Sequence, residues 1–170
     1  APSGSAHWQL GCTPLYIAAA KGHLAVVIKL IDANALVNKA KSTDGATPLF
    51  IAARNGHHTV VAKLIGAGAL VDKATTIYGE TPLYTAAFYG RLAVVTMLLA
   101  AGALVDHLNL HAMAPCGNTA LYIAAEKGHT AIVSILLQHS ADKSIPGNHN
   151  RTPLLQARIM NQPAVVALLV

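Results

Sequence analysis

The sequence predicts an all-α array of repeated helical units, and three observations carry that prediction. A block beginning Thr-Pro-Leu or Thr-Ala-Leu recurs at Thr13, Thr47, Thr81, Thr119 and Thr152, in steps of 34, 34, 38 and 33 residues. A second apolar block follows each copy in phase: Val26-Val27 with Leu30-Ile31, Val60-Val61 with Leu64-Ile65, Val94-Val95 with Leu98-Leu99, Ile132-Val133 with Leu136-Leu137, and Val165-Val166 with Leu169-Val170. The first four second blocks then stop at Asn34-Ala35, Gly68-Ala69, Gly102-Ala103 and Ser140-Ala141. Apolar pairs three and four apart form a helical stripe, and Asn and Gly tolerate the left-handed backbone that ends a helix.

The first helix of each copy is specified within ten residues. In Thr81–Gly90 the threonine is suited to accept an orphan amide at the N-cap, and Pro82 fits the first helical position, where no N–H is needed. Leu83, Ala86 and Ala87 lie on one narrow apolar face, and Gly90 suits a left-handed stop. The spacing predicts helices over 14–20, 24–33, 48–54, 58–66, 82–88, 92–101, 120–126, 130–139, 153–159 and 163–170. Gly11, Gly45, Gly79 and Gly117 stand two residues before the first four threonines, with Asn150 in the fifth copy. A turn residue at that place is consistent with a tip that folds back into the helix.

The pattern Thr-Pro-Leu-x-x-Ala-Ala-x-x-Gly-His, then Val-Val-x-x-Leu-Leu, then Gly-Ala, resembles the ankyrin repeat from residue 11 to residue 170. The resemblance implies an all-α ankyrin-repeat solenoid of paired antiparallel helices with projecting loops or β-hairpins. It comprises four good repeats and a degenerate fifth. The boundaries it implies are a mobile segment or linker over 1–7 and a repeat domain over 8–170, with repeats near 8–42, 43–76, 77–114, 115–147 and 148–170. The family's usual His after Thr-Pro-Leu is replaced by Tyr16, Phe50, Tyr84, Tyr122 and Leu155, so aromatic packing is expected there. In the fifth copy Arg158 replaces an alanine and Asn161-Gln162 replace Gly-His, as suits a terminal repeat.

Composition bounds the alternatives. The chain is 54% apolar and 11% charged, with mean hydropathy +0.46. Its longest apolar stretch, 92–105, is shorter than the roughly 20 residues a membrane span needs. Net charge is +5 and the isoelectric point about 9.4. Lys39, Lys73 and His107 share one phase, but Asn38, Asp72 and Asp106 precede them, so this edge reads as solvated and of mixed sign. No basic run interleaved with aromatics supports nucleic-acid recognition. Cys12 and Cys116 lie three repeats apart, beyond disulfide reach, and suggest a cytoplasmic or other reducing intracellular compartment. The first six residues lack the apolar core of a signal peptide, and the chain is expected to be a piece of a longer protein. The long connection over 107–118 has about four extra residues, read either as a binding insertion or as a tolerated surface insertion.

No catalytic constellation, phosphate-cradling loop or metal set emerges, and no cofactor is expected. His23, His57 and His129 occupy the repeat's Gly-His position, where a structural role is expected. Function is therefore sought where the copies differ. The resemblance places the concave surface at the residues after Ala-Ala and at the tips before Thr-Pro. The third repeat offers Phe88, Tyr89, Ile77, Tyr78 and Glu80. Its neighbours offer Arg54, Asn55 and Asp44 on one side and Glu126, Lys127 and Asn118 on the other. An aromatic centre with a polar rim is the anatomy of a protein interface. Trp8 is read as a cap on the exposed end of the first repeat.

The expected activity is that of a monomeric, non-catalytic module binding another protein or an extended peptide. A targeting arm of a larger enzyme or a secreted bacterial effector, and electrostatic attachment to nucleic acid or another anionic surface, are the alternatives.

Overall fold

The structure is a computed structural model and describes residues 11–109 and 117–170. Ten α-helices form in the described residues. They are α1 (Pro14–Ala20), α2 (Leu24–Asp32), α3 (Pro48–Asn55), α4 (His58–Gly66), α5 (Pro82–Phe88), α6 (Leu92–Ala100), α7 (Ala120–Lys127), α8 (Thr130–Gln138), α9 (Pro153–Ile159) and α10 (Pro163–Leu169). Each expected helix is present, with its ends within one residue of the sequence reading. The segment 1–7, Trp8, Pro115, Cys116 and most of the long connection lie outside the described residues.

Local chemistry starts the odd-numbered helices. Thr13, Thr47, Thr81 and Thr119 hold extended backbone, and each hydroxyl accepts the amide three residues on at 3.1 Å. Thr152 makes the same bond to Leu155 at 3.3 Å. Proline occupies the first turn of α1, α3, α5 and α9. These bonds satisfy amides that a helix start otherwise leaves without a partner.

Packing then builds two rows. Helices α1, α3, α5, α7 and α9 stack in succession, α2, α4, α6, α8 and α10 do the same, and the members of each pair pack together. Consecutive repeats and the adjacent rows are thus the whole of the core, which is the organisation of a solenoid. The alanine pairs 18–19, 52–53, 86–87 and 124–125 are buried, and their small side chains admit close approach on both sides. Leu49, Leu83, Leu121, Leu64, Leu98 and Leu136 fill the space between the rows. Each contributes roughly 1.5–3 kcal/mol by leaving water.

Among the described residues no strand forms, and the only trace of a hairpin is the isolated antiparallel bridge between Asn109 and Asn118. The projecting elements are loops. Lys41 N–H donates to Ala46 O at 2.8 Å and Thr75 N–H to Glu80 O at 3.0 Å, closing two tips. Ser42 N–H to Gly11 O at 3.3 Å and Thr76 N–H to Asp44 O at 2.8 Å join each tip to the one before it.

Side chains fasten the stack in two further places. His57 and His129 set Nε2 at 3.1 and 3.2 Å from the carbonyls of Ala20 and Phe88. Arg91 Nε donates to Arg54 O at 3.1 Å in the same role. On the other side Asn38 bonds both Gly68 O and Leu70 N–H, Asp72 accepts from Leu104 N–H at 3.0 Å, and Asp106 accepts from Asp142 N–H at 3.1 Å. The edge remains solvated and of mixed sign, and its polar side chains gain a structural role. Asn38, Asp72 and Asp106 are inter-repeat acceptors, committed to the backbone of the following loop.

No helix among the described residues is long and apolar enough to cross a membrane. The apolar stretch 92–105 is the nine-residue α6 followed by a turn at Gly102, whose φ is +83°.

Candidate functional site

The site begins at the end of α5. Phe88 is its last residue and Tyr89 caps it, so two aromatic rings emerge side by side where the helix stops. Their centroids are 4.9 Å apart at an interplanar angle of 55°. The equivalent helix ends on both sides supply cations. Arg54, in the last turn of α3, places its guanidinium 5.2 Å from the Tyr89 centroid. Lys127, at the end of α7, places its ammonium 4.7 Å from the Phe88 centroid. Three successive repeats thus set a row of cation, two rings and cation along one surface. Each cation over a ring is worth about 0.5–1 kcal/mol at an exposed site, enough to bias the rotamers of both partners.

Beside the rings lies a cavity of about 250 Å³, lined by Arg54, Tyr78, Glu80, Thr85, Phe88 and Tyr89. Tyr78 and Glu80 come from the tip that leads into α5. Glu80 is held by Thr75, whose hydroxyl accepts the Glu80 amide at 3.1 Å. Burial pushes the Glu80 carboxyl above the usual carboxylate range, and the nearby Arg54 charge opposes this. The cavity therefore joins aromatic wall, hydroxyl, partly desolvated carboxyl and guanidinium.

Thr85 was not among the residues expected from sequence. The signal was present: Ile17, Ile51 and Ile123 hold this place in sister copies, and threonine is shorter and polar. Its small side chain forms part of the cavity lining where the first, second and fourth repeats carry isoleucine.

The other expected site residues separate into groups. Ile77 is 45% and Tyr78 52% exposed, so the tip presents apolar surface beside the cavity. Asp44 spends one carboxylate oxygen on Ala46 N–H at 3.1 Å and pairs the other with Lys41 at 3.4 Å. Asn55 donates to Ala20 O at 2.8 Å. Glu126 accepts from Gln156 at 3.2 Å and pairs with Lys127 at 3.3 Å, which holds the cation beside Phe88. Asn118 requires a correction. It is only 6% exposed, and its side-chain oxygen accepts Asn148 N–H at 2.8 Å, so it braces two tips and offers no contact surface.

The aromatic residues at the Tyr16, Phe50, Tyr84 and Tyr122 positions form the layer beneath, and all four are buried. Burial drives the Tyr84 phenol up to about 12, and side-chain hydrogen bonds from Asn118 and Asn109 work against it. Tyr16 is pushed up to about 12, again mainly by burial. Tyr122 donates to Asn148 O at 3.3 Å. Tyr84 and Tyr122 thus combine aromatic packing with hydrogen bonding, which Phe50 cannot do because it has no hydroxyl.

Among the described residues no three His, Cys, Asp or Glu side chains are grouped to hold a metal ion. Comparison with protein families matches the chain to the model described as Ankyrin repeats (3 copies), over residues 15–109 and again over 103–170. Comparison with curated proteins returns no match.

Proposed function

Because the chain belongs to the ankyrin repeat family, whose members are generally protein–protein interaction modules, we propose that it is a non-catalytic binding module whose contact centre is the third repeat. The observation that carries this reading is the Phe88–Tyr89 pair with its flanking cations and adjacent cavity. Tyr89 is 40% exposed and lines the cavity with Tyr78, and Ile77 on the same tip is also exposed, which leaves apolar surface for a partner. Aromatic residues and arginine at the centre of a contact surface are the residue types that dominate protein binding energy.

An extended segment of another protein suits this surface. One apolar or hydroxylated side chain would enter the cavity beside Thr85, while its polar backbone or neighbours meet Arg54 and Glu80. The rings are held by the cations and the helix ends by the neighbouring repeats, so little conformational freedom is lost on binding. Replacing Phe88→Ala with Tyr89→Ala removes the centre; Phe88 also packs against the core, so the double variant loses some stability and its folding is checked by circular dichroism. Affinity for a partner captured by wild-type protein should fall about 30-fold or more, the scale of a hot spot. Unchanged capture by a folded double variant would exclude this surface as the contact centre.

A further inference from the structure

The odd-numbered helices end in a row, and the residue pairs at those ends alternate in character along it. Phe88-Tyr89 ends α5. Ile159-Met160 ends α9, two repeats further on, and stands in the same places: Ile159 is the last helical residue and Met160 the cap. Between the two apolar pairs stands Glu126-Lys127, and before them Arg54-Asn55, both polar. Ile159 is 50% and Met160 45% exposed. The exposure of Met160 belongs to this surface and not to the end of the array. Asn55, Tyr89 and Lys127 hold its place in repeats that are stacked on both sides, and all three are exposed.

The repeat between the two apolar pairs is closed on itself. Lys127 pairs with one oxygen of Glu126 at 3.3 Å, and the other oxygen accepts from Gln156 at 3.2 Å. The ion pair has no net charge, so it favours neither sign in a segment that crosses it. Packed helices lie about 8–10 Å apart, which puts the two apolar pairs roughly 16–20 Å from one another. An extended chain rises about 3.3 Å per residue and sends alternate side chains to one side. An even spacing is therefore needed to set two anchors on the same side, and six residues span about 20 Å.

We propose that the contact surface is bipartite, and that its partner is an extended protein segment with two apolar side chains about six positions apart. One enters the cavity beside Phe88-Tyr89, the other rests on Ile159-Met160, and a neutral polar stretch crosses Glu126-Lys127. The inference rests on the third repeat being the contact centre, and it names the sequence that this centre would select. A segment held in the cavity and running toward α9 has only the end of α7 to cross before it meets the second pair. That second contact is intramolecular, so it adds affinity without a second loss of free translation. Burying one leucine there is worth about ten-fold or more in binding. Toward α3 the next helix end is polar, so the apolar pattern fixes the side of the cavity along which the segment lies.

The test is a titration of the isotopically labelled full chain with short serine–threonine peptides, followed by amide NMR. One peptide carries a single leucine, and the others carry two leucines five, six or seven positions apart. All should shift the amides of residues 85–90. The peptide with six-residue spacing should also shift those of residues 158–161, and should bind at least about ten-fold tighter than the single-leucine peptide. Spacings of five and seven should bind more weakly than six. Ile159→Ser with Met160→Ser should reduce the six-spaced peptide to the affinity of the single-leucine one, whose own binding stays unchanged; circular dichroism checks that the variant is folded. Equal affinity at all spacings, or indifference to the variant, overturns the bipartite site, while shifts over residues 85–90 would still keep the third repeat as the contact centre. No shift there with any peptide overturns both. A dimer in light scattering that the variant abolishes would assign Ile159-Met160 to a second copy of the chain and overturn the proposal as well.

Discussion

Replacing the N-cap threonine by valine should cost far more in the third repeat than in the fifth, although the local motif is the same. Thr81→Val keeps the β-branched shape and suits the extended backbone at φ −86° and ψ 164°, so the perturbation is confined to the hydroxyl. That hydroxyl accepts the Tyr84 amide at 3.1 Å in a buried setting, and Thr81 itself is 2% exposed. The loss combines a helix cap, about 1 kcal/mol, with a buried donor left without a partner, about 1–3 kcal/mol. These overlap, and a total of about 2–3 kcal/mol follows. At Thr152 the bond to Leu155 is longer, 3.3 Å, and exposed, so water replaces the hydroxyl. Thr152→Val should cost about 0.5–1 kcal/mol.

Urea unfolding followed by far-UV circular dichroism measures both. A central lesion in a solenoid also uncouples the repeats on either side, so the Thr81→Val transition should broaden as well as shift. Equal losses at the two positions would refute the reasoning, because they would mean that burial of the orphaned amide contributes nothing.

Two further outcomes follow from the packing of the tips and the tyrosine layer. In Gly147→Ala the added methyl would lie 2.6–2.7 Å from the Tyr122 ring, with Asn118 also in its path; overpacking of this kind costs about 1–3 kcal/mol, read as a lowered urea midpoint. Tyr84→Phe should lower stability by about 0.5–1.5 kcal/mol at neutral pH through its lost hydrogen bonds. The folded phenol, raised from 10.0 to about 12, keeps its proton while the unfolded chain releases it, so wild-type stability falls as pH rises through that window. The gap between wild type and Tyr84→Phe should therefore narrow from pH 10 toward pH 12 in unfolding experiments, and a constant gap would mean that Tyr84 is not the group responsible.

The helices were legible because their determinants are local. A threonine cap, a proline after it and an apolar stripe lie within ten residues, and nothing distant decides whether they act. The tips were less legible. Gly45 and Gly79 do adopt left-handed φ of +73° and +63°, as a turn reading expects. Yet the partners that organise a tip belong to the adjacent repeat, and a one-dimensional pattern does not reveal them. Asn118 illustrates the loss. Its place in the repeat marks it as a tip residue, but its partner Asn148 is thirty positions away and draws it inward. Asp72 and Asp106 read in the sequence as surface charge alone for the same reason, since their added role as acceptors is visible only once the next loop is stacked on them. Thr85 was legible and overlooked, being a break in an isoleucine pattern.

The same non-local bonds explain why function can vary on this frame. The rings and cations of the candidate surface stand at the ends of odd-numbered helices, where unsatisfied carbonyls are expected. Ala20, Arg54 and Phe88 each have that carbonyl engaged by the following repeat, through His57, Arg91 and His129 respectively. The bond is to the backbone, so it holds the helix end in place whatever side chain stands there. Alanine, arginine and phenylalanine are accepted at one position by one kind of bracket. The side chains of Ala20, Arg54 and Phe88 are thereby released from holding that helix end, while Asn55 and Glu126 beside them still bond to neighbouring repeats. The third repeat uses that freedom to set two aromatic rings between two cations, over a threonine that leaves room beside them.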